Sequence, residues 1–276
     1  MTTAADRLRL DGQAAIVTGG GGGIGRAIAI ALAQAGANVG IADIVSERCD
    51  ETAARVREAG CAALAYPVDI MDGDATRAMI AAADAQFGRI DILVNNAGGV
   101  SARPFLDQSV RSWARHIEIY LMSMLRCIHA AAPIMIRGGR GGSIINVASI
   151  EASRAAPNFA VYAACKAGMV SFTKSMALEL AEHRIRVNVL APDHTVTPGN
   201  RGNRSGAVDP SGWPVQSPAE VAAWAQLIPL GREGDDTECG DAAVFLVSEM
   251  ASYITGVLLP VDGGTSAANG WMRDAK

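Results

Sequence analysis

Seven short apolar runs, each about the length of one β-strand, alternate along the chain with amphipathic stretches of helical length. Each run is apolar throughout, which is typical of parallel strands that are covered on both faces. Consecutive parallel strands need a crossover connection, and right-handed crossovers through a helix dominate. The sequence therefore predicts an α/β fold with a doubly wound, seven-stranded parallel sheet and helices on both faces. The predicted strands are residues 14–17, 38–42, 62–66, 92–95, 143–148, 186–190 and 257–260.

The chain is predicted to form a single domain, residues 1–276, without a linker or a second core. Length alone would also permit two domains, but α/β folds of about 250 residues often form one. One segment breaks the alternation: residues 198–218, PGNRGNRSGAVDPSGWPVQSP, are rich in glycine, proline, asparagine, serine and arginine. Loops of this length are uncommon in compact domains and are often lids or disordered segments. We expect this segment to be a substrate lid.

Composition and charge argue against several classes of partner. The net charge of −4 argues against the basic surface that nucleic-acid binding needs. We expect no membrane partner, because no apolar run reaches the length of a membrane span and the first residues lack the apolar middle of a signal peptide. The expected location is the cytoplasm. Five scattered cysteines without a CxxC pair favour free thiols, and the four histidines lack the spacing of a metal site.

A run of five glycines, within TGGGGGIG at residues 18–25, separates the first predicted strand from the first predicted helix. Each glycine costs backbone entropy on folding, so the run indicates a tight turn or a close approach of another molecule. Here glycines let a pyrophosphate reach the backbone, where the helix N-terminus offers free N–H groups and a partial positive charge. Flexible turns are also rich in glycine, so the motif alone is weak. Its place between a strand and a helix predicts a phosphate-bearing cofactor.

Asp43 ends the second predicted strand, 18 residues after Gly25. A carboxylate at this point can accept hydrogen bonds from both hydroxyls of the adenosine ribose, and it would repel a 2′-phosphate. The glycine turn contains no Arg or Lys, and the two positions after Asp43 are Ile44 and Val45. The predicted cofactor is therefore NAD and not NADP.

The spacing T-G-x-x-x-G-x-G differs from the dinucleotide motif G-x-G-x-x-G, and it resembles that of the short-chain dehydrogenase/reductase family. Further family motifs follow in order: NNAG at 95–98, Ser149, YAACK at 162–166, RVNVLAP at 186–192 and YITGVLLPVDGG at 253–264. The resemblance covers about residues 8–265 and is specific, because so many motifs occur in the family's order. It implies a single-domain Rossmann fold that binds a nicotinamide cofactor.

The resemblance also implies which residues contact the cofactor. The glycine turn would line the pyrophosphate, Asp43 the adenosine ribose, and Asp69 the adenine. The implied cofactor-binding residues are Gly19, Gly23, Ile24, Asp43, Ile44, Asp69, Ile70, Asn95, Ala97, Gly98, Tyr162, Lys166, Pro192, Thr195 and Thr197. The chain departs from the family after the AP motif, where Asp193 and His194 follow in place of a common glycine. Cys165 takes the place of a common serine.

Three residues are candidates for catalysis: Ser149, Tyr162 and Lys166. Tyr162 and Lys166 are one helical turn apart and so point the same way. A phenol with a pKa of about 10 is a poor base at neutral pH, and a nearby ammonium favours the phenolate. Ser149 would donate a hydrogen bond to the substrate oxygen, while Tyr162 moves a proton. The predicted function is hydride transfer between NAD(H) and a secondary alcohol or ketone.

The substrate is expected to be mid-sized and largely apolar. A hydroxysteroid, a cyclic alcohol and a hydroxyacyl thioester are open alternatives. The lid region carries both apolar and basic residues: Arg201, Arg204, Trp213, Val215, Trp224 and Leu227. The apolar ones could cover an apolar substrate, and the two arginines could meet a carboxylate or a phosphate. Solvated arginines and aromatic rings packed on the body are an equally good interpretation.

Tyr120 stands where family members often have a catalytic asparagine, seven residues after Trp113. In the family this position helps to hold a water beside the lysine, which a backbone carbonyl can do whatever the side chain. We therefore expect an active enzyme, with the Tyr120 ring packed on the apolar face of its helix. Without that asparagine, a non-catalytic NAD-binding sensor stays an alternative.

A second alternative is a 3-oxoacyl thioester reductase of the same fold. Asp43 and the negative net charge disfavour it, because that activity usually uses NADPH and a basic surface for an acidic carrier protein. The resemblance also suggests a homotetramer, formed through the helices around residues 109–136 and 158–181 and through the C-terminal segment.

Overall fold

The computed structural model describes residues 3–99, 102–268 and 270–272, and the other positions of the predicted 1–276 domain lie outside the described residues. Parallel strands form one seven-stranded sheet: β1 (Ala14–Thr18), β2 (Asn38–Asp43), β3 (Ala63–Pro67), β4 (Ile92–Asn95), β5 (Gly142–Val147), β6 (Ile185–Pro192) and β7 (Leu258–Val261). Their order in the sheet is β3-β2-β1-β4-β5-β6-β7. The predicted α/β fold is confirmed, and the strand ends differ from the predicted ones by at most two residues.

Helices cover both faces of the sheet: α1 (Ala4–Leu8), α2 (Gly23–Gln34), α3 (Ser46–Glu58), α4 (Gly73–Phe87), α5 (Val110–His116), α6 (Ser123–Gly138), α7 (Ala160–Glu179), α8 (Pro218–Leu227) and α9 (Asp236–Val247). Short 3-10 turns lie at Phe105–Asp107, Ile150–Ala152, Ala181–His183, Pro210–Gly212, Glu249–Ala251 and Thr265–Ala267. Successive strand residues point to opposite faces, so Ile16 and Val17 of β1 lie in two separate cores. Residues of α2, α3 and α9 pack with Val17, and residues of α4, α6 and α7 pack with Ile16.

A π-helical turn, Ile117–Met122, joins α5 to α6 into one helical segment, Val110–Gly138. This segment is long and apolar enough to cross a membrane by length and composition, so the expectation that no apolar run reaches that length is wrong. Charged residues, Glu118 and Arg126 among them, lie within the segment, so its apolar residues do not form a continuous run in the sequence. In this structure 44% of the apolar window is buried.

The segment 198–218 is mostly irregular, as predicted, and contains the 3-10 turn Pro210–Gly212. It ends at a capping box that starts α8. The Ser217 hydroxyl accepts a hydrogen bond from the Glu220 N–H, and the Glu220 carboxylate accepts one from the Ser217 N–H. The capping box therefore determines where α8 begins.

The order of the strands determines where a ligand can bind. The direction in which strands are added reverses between β1 and β4, which are neighbours in the sheet. In open α/β sheets, ligands bind in the crevice outside the carboxyl ends of the strands at such a switch point. The glycine turn, the NNAG motif and Ser149 follow β1, β4 and β5, so they lie at this crevice.

Candidate active site

The glycine motif that follows β1 leaves no room for a side chain at Gly19 or Gly25. An added Cβ at Gly19 would lie 2.7 Å from the Cα of Ala97, and one at Gly25 would lie 2.1 Å from the carbonyl oxygen of Gly19. Helix α2 follows Gly22, which offers no side-chain hydrogen bond to the first N–H groups of the helix. The turn therefore fits a phosphate group, which can approach the backbone and accept hydrogen bonds from these N–H groups.

Asn96 links this turn to the end of β4 through hydrogen bonds. Its side-chain amide donates hydrogen bonds to the carbonyls of Thr18 and Gly19, at 3.1 Å each. The Thr18 hydroxyl in turn accepts a hydrogen bond from the Asn96 N–H at 3.0 Å. Asn95 points elsewhere and donates to the Asn146 side chain at 2.8 Å. Sequence reasoning missed Asn96, although the doubled asparagine of NNAG was the available signal.

Asp43, at the end of β2, lies against the glycine turn. Its carboxylate accepts hydrogen bonds from the N–H of Gly21 at 3.1 Å and from the N–H of Val45 at 3.0 Å. An added Cβ at Gly21 would lie 2.8 Å from this carboxylate. The neighbouring Ile44 is 67% exposed at the same edge. The acidic group predicted for the adenosine ribose therefore adjoins the phosphate turn.

Arg48 also lies against this turn, which the sequence did not indicate. It is buried in the first turn of α3, and its Cβ would lie 2.7 Å from an added Cβ at Gly21. Its guanidinium donates hydrogen bonds to the carbonyl oxygens of Asn203 at 2.8 Å and Gly206 at 2.5 Å. The prediction from the sequence covered only the turn and the two positions after Asp43. The fold adds a base, Arg48, which is hydrogen-bonded to the 198–218 segment.

The other predicted cofactor residues also lie around the carboxyl ends of the strands. They are Ile24 in α2, Asp69 and Ile70 after β3, Asn95, Ala97 and Gly98 at and after β4, and Pro192, Thr195 and Thr197 at and after β6. Thr197 comes close to the glycine turn, because its Cβ lies 3.0 Å from an added Cβ at Gly23. Asp69 accepts a hydrogen bond from the Met71 N–H at 2.9 Å. The structure thus brings residues from separate strands to one crevice.

Ser149, Tyr162 and Lys166 meet where β5 and α7 come together. The Nζ of Lys166 lies 5.7 Å from the centroid of the Tyr162 ring. Hydrogen bonding from Ser149 acts to lower the pKa of the Tyr162 phenol. Lys166 is 4% exposed, and its Nζ donates a hydrogen bond to the Val147 carbonyl at 2.7 Å. The three residues predicted to be catalytic are therefore close together.

Burial dominates the electrostatics of this group. It lowers the pKa of Lys166 to about 7, because a charged amine is unfavourable in an apolar environment. Burial also raises the pKa of Tyr162 to about 12; the hydrogen bond with Ser149 opposes this rise, and the charges of Glu151 and Asp193 add to it. The expected depression of this pKa by the Lys166 ammonium is not found, since burial disfavours the ammonium itself.

The Tyr120 ring packs over the lysine. It is 2% exposed and meets the Tyr162 ring edge to face, with the ring centroids 5.1 Å apart. The Nζ of Lys166 lies 4.7 Å from the Tyr120 centroid, within the range of a cation–π contact. An added Cβ at Gly98 would lie 2.4 Å from this ring. The packed ring agrees with the expectation from the apolar helix face, and it lies in a π-helical turn, a feature frequent at functional sites.

Ionisable side chains form a connected cluster that begins at Ser149. The Ser149 hydroxyl donates a hydrogen bond to the Glu151 carboxylate. The Arg154 guanidinium lies 3.5 Å from a Glu151 oxygen and 3.4 Å from an Asp193 oxygen, and the His194 Nε2 lies 3.2 Å from that same Asp193 oxygen. Burial, reinforced by the Glu151 charge, raises the pKa of Asp193 to about 7. Sequence reasoning noted Asp193 and His194 but missed Glu151, whose signal is its place two residues after Ser149.

Helix α8 and the 198–218 segment form an outer wall. The rings of Trp224 and His194 are in contact, with their centroids 4.6 Å apart. Arg201 forms an ion pair with Glu233 at 2.7 Å, so its charge is already balanced within the protein. A cavity of about 370 Å³ lies between the segment and α8, with Trp224 and Arg201 in its lining and the 95% exposed Val215 at its rim.

A family model described as enoyl-(acyl carrier protein) reductase matches residues 19–266 of the chain. The match includes the glycine turn, the NNAG motif, Ser149 and the Tyr162–Lys166 pair. The chain belongs to the short-chain dehydrogenase/reductase family. This short-chain dehydrogenase/reductase is 38% identical over 257 residues to cis-4-hydroxycyclohexanecarboxylate dehydrogenase of Sinomonas cyclohexanicum, covering 92% of this chain and 97% of that protein.

Two solved structures of this short-chain dehydrogenase/reductase fold carry nicotinamide cofactors. One is a 7α-hydroxysteroid dehydrogenase complexed with NADH and 7-oxo glycochenodeoxycholic acid; its TM-score is 0.86 at 34% identity, covering 96% of this chain and 98% of that chain. The other is a gluconate 5-dehydrogenase from Burkholderia cenocepacia with NADP and tartrate; its TM-score is 0.86 at 36% identity, covering 96% and 100%. A nicotinamide cofactor is supported by both, and the chain is an oxidoreductase of this family.

Proposed function

We propose that this short-chain dehydrogenase/reductase oxidises a secondary alcohol, or reduces the matching ketone, with Tyr162 as the general acid–base. The observation that carries the proposal is the position of the Lys166 amine, 5.7 Å from the centroid of the Tyr162 ring, with Ser149 at the adjoining end of β5. A bound nicotinamide supplies the hydride acceptor or donor. The names of its relatives, a hydroxycyclohexanecarboxylate dehydrogenase and a hydroxysteroid dehydrogenase, support a CH–OH substrate.

Each of the three residues has a separate part in this proposal. Ser149 contacts the substrate oxygen and holds it beside Tyr162. Tyr162 takes the hydroxyl proton during oxidation and returns it during reduction. Lys166 lies next to Tyr162 and stabilises the phenolate when charged, and its lowered pKa of about 7 leaves both of its forms populated near neutral pH. The packed Tyr120 ring keeps bulk water away from this pair.

We infer that NAD is preferred over NADP. The Asp43 carboxylate adjoins the glycine turn. There it would accept hydrogen bonds from the ribose hydroxyls and repel a 2′-phosphate. Arg48 is the base that could oppose this preference, but its guanidinium donates to the carbonyls of Asn203 and Gly206. The turn residues Gly19 and Gly23 would adjoin the pyrophosphate.

The proposed substrate is a cyclic secondary alcohol on a mid-sized, largely apolar skeleton. The contact between the Trp224 and His194 rings supports this, because it places aromatic surface on the outer wall beside Asp193. The relatives' names also point to ring-bearing alcohols. In this proposal the 198–218 segment is the lid over the substrate. A 3-oxoacyl thioester on an acidic carrier protein fits less well, because the net charge of the chain is −4.

A second candidate function is a sensor that binds NAD without turnover. The specific observation in its favour is the Tyr120 ring against Lys166, in the position of the family's asparagine. A Tyr162 phenol with a pKa of about 12 is also a weak base at neutral pH. The retained Ser149, Tyr162 and Lys166 favour the enzyme.

The test is cofactor reduction by a panel of cyclohexanols, hydroxysteroids and a hydroxyacyl thioester, with NAD and NADP in parallel. We expect turnover with NAD, and Tyr162→Phe should lower kcat by about 10²–10⁴-fold, as loss of a general acid–base does. Near-normal turnover by Tyr162→Phe would contradict the role of this residue. Tight NAD binding with no turnover on any member of the panel would support the sensor.

We also propose that the protein is a cytoplasmic homotetramer. Exposed apolar side chains on the helices named for one interface support assembly: Val110 is 69% exposed, Ile117 44% and Leu178 80%. Light scattering at micromolar concentration measures the mass directly. A value near the chain mass of 28.5 kDa would contradict the tetramer.

A further inference from the structure

Part of the 198–218 segment lies against the glycine turn, at the residue that precedes α2. An added Cβ at Gly22 would lie 3.8 Å from the side chain of Pro198 and 3.8 Å from the side chain of Val208. The chain between these two residues therefore starts and ends beside the turn. We call its second half, residues 203–208, the strap.

Arg48 connects the strap to α3. Its Nη2 donates a hydrogen bond to the Asn203 carbonyl at 2.8 Å, and its Nε donates one to the Gly206 carbonyl at 2.5 Å. Its remaining nitrogen, Nη1, lies 3.4 Å from the position of an added Cβ at Gly22. One guanidinium group thus contacts both the strap and the glycine turn.

Burial makes these two hydrogen bonds important to Arg48 itself. Arg48 is 8% exposed, and within the described residues none of the ion pairs includes it, whereas Arg26 pairs with Glu51 and Arg55 with Glu58. A buried charge needs acceptors from the protein, because water does not supply them. Hydrogen bonds from a charged donor are also stronger than those between neutral groups. The charge of Arg48 therefore favours the strap in its place on the turn.

The strap has hydrogen bonds of its own, and most of them use one side chain. The Asn203 amide donates to the carbonyls of Ser205 and Ala207 at 3.2 Å each, and its side-chain oxygen accepts from the Asp209 N–H at 3.0 Å. These bonds hold the two carbonyls that Arg48 contacts in a fixed relation to each other. The strap can therefore lift from Arg48 as one unit.

On the basis of the proposed function, which includes a dinucleotide at the glycine turn, we propose that Arg48 is a positioning residue that controls cofactor exchange by fastening the strap across this turn. A dinucleotide passes this edge of the site only after both hydrogen bonds of Arg48 break. Donor and acceptors all belong to the protein, so the closure slows entry and exit alike.

This closure predicts a specific kinetic pattern. Loss of the Arg48 guanidinium raises both the association and the dissociation rate constant of the cofactor, and the Kd, which is their ratio, changes little. A residue that bound the cofactor directly would behave differently. Its replacement would raise the dissociation rate constant alone, and the Kd would rise by the same factor.

The experiment uses the full-length protein and NADH, without an alcohol. Stopped-flow fluorescence follows NADH binding, and displacement of bound NADH by excess NAD gives its release. Arg48→Met keeps an unbranched side chain without the guanidinium, and Arg48→Lys keeps the charge without the two-pronged geometry. Arg55→Met is the control, because Arg55 lies in the same helix and is 67% exposed. We expect both rate constants to rise at least about tenfold in Arg48→Met, as loss of two charge-assisted hydrogen bonds predicts, with the Kd within about threefold of the wild type. Arg48→Lys should fall between the two, and Arg55→Met should match the wild type.

Hydrogen–deuterium exchange of the protein without added cofactor gives a second readout. Peptides that contain the strap should exchange faster in Arg48→Met and Arg48→Lys than in the wild type or Arg55→Met. Arg48→Lys decides the result if Arg48→Met does not fold. Wild-type rate constants or unchanged strap exchange in the Arg48 variants overturn the closure, and so does a raised Kd with an unchanged association rate constant. These results leave the proposed function intact, since NADH still binds. A wild-type protein that does not bind NADH overturns the proposed function, and the closure with it.

Discussion

The amine of Lys166 lies 4.7 Å from the centroid of the Tyr120 ring, and both side chains are almost fully buried. The ring favours the charged amine, whereas burial disfavours it. Burial dominates, because the pKa of Lys166 falls to about 7. The charge on this lysine is therefore set by its surroundings close to physiological pH, and small changes around it will alter the charged fraction.

Tyr120→Phe tests how much the Tyr120 hydroxyl contributes to turnover. The variant keeps the ring and its contact with Lys166, so we expect kcat to change less than tenfold in steady-state alcohol oxidation. Tyr162→Phe, measured beside it, should nearly abolish turnover, because it removes the group that moves the proton. Equal losses in the two variants would show that the Tyr120 hydroxyl takes part in proton transfer.

Lys166→Met tests the burial of the lysine through stability. The folded protein releases the Lys166 proton near pH 7, whereas the unfolded chain holds it to about 10.5. Between these values the unfolded state binds more protons, so wild-type stability rises with pH. We therefore compare the Tm of Lys166→Met with the Tm of the wild type at each pH. The difference, variant minus wild type, should be largest at and below pH 7. It should be smaller by at least about 2 °C at pH 9.5. A difference that is the same at pH 6 and pH 9.5 would contradict a lowered pKa for Lys166.

Gly98→Ala tests the close packing of the backbone on Tyr120. Gly98 adopts a φ of +154°, and an added Cβ would lie 2.4 Å from the ring, so either the ring or the backbone must move. We expect a loss of about 1–3 kcal/mol in the free energy of unfolding, measured by chemical denaturation. Gly99→Ala is the matched control, because nothing lies within 4 Å of its added Cβ. Equal stability of the two variants would refute the packing constraint.

Substitutions of Asp43 test the choice of cofactor. The wild type should bind NADH at least tenfold more tightly than NADPH, a difference of about 1.4 kcal/mol, measured by fluorescence titration. Asp43→Ala should weaken NADH binding and relieve the repulsion of NADPH. Asp43→Asn keeps a hydrogen-bond acceptor for the Gly21 N–H and removes the negative charge. Its effect on NADPH binding therefore measures the repulsion between the Asp43 charge and the 2′-phosphate. Tighter binding of NADPH by the wild type would show that Arg48 outweighs Asp43.

The sheet, the glycine turn and the catalytic group could be predicted because their signals are local. A continuous apolar run defines a buried parallel strand, and the spacing of Tyr162 and Lys166 places both on one side of a helix. Ser149 follows β5, so the topology of the sheet brings it to the crevice. Helix periodicity also placed Tyr120 on the apolar face, where its ring is buried.

What could not be predicted depends on contacts between distant parts of the chain. Arg48 donates a hydrogen bond to a carbonyl 158 residues away in the sequence. No sequence pattern indicates that contact. The raised pKa of Tyr162 depends on burial and on the charge of Asp193, which tertiary packing supplies. Glu151 reaches Ser149 only because residues 150–152 form a 3-10 turn, and such short turns leave little trace in a sequence.

The two hydrogen bonds of Arg48 end on backbone carbonyls, those of Asn203 and Gly206. Every residue type carries a backbone carbonyl, so the attachment needs no particular side-chain acceptor. The loop conformation that presents these carbonyls depends on the Asn203 side chain, which is hydrogen-bonded to Ser205, Ala207 and Asp209, and on Gly206, whose φ is +66°. Mutations there can alter the surface shown to a substrate while the loop stays anchored to α3. Laboratory evolution of substrate range can therefore randomise the other side chains in this loop with Arg48, Asn203 and Gly206 kept constant.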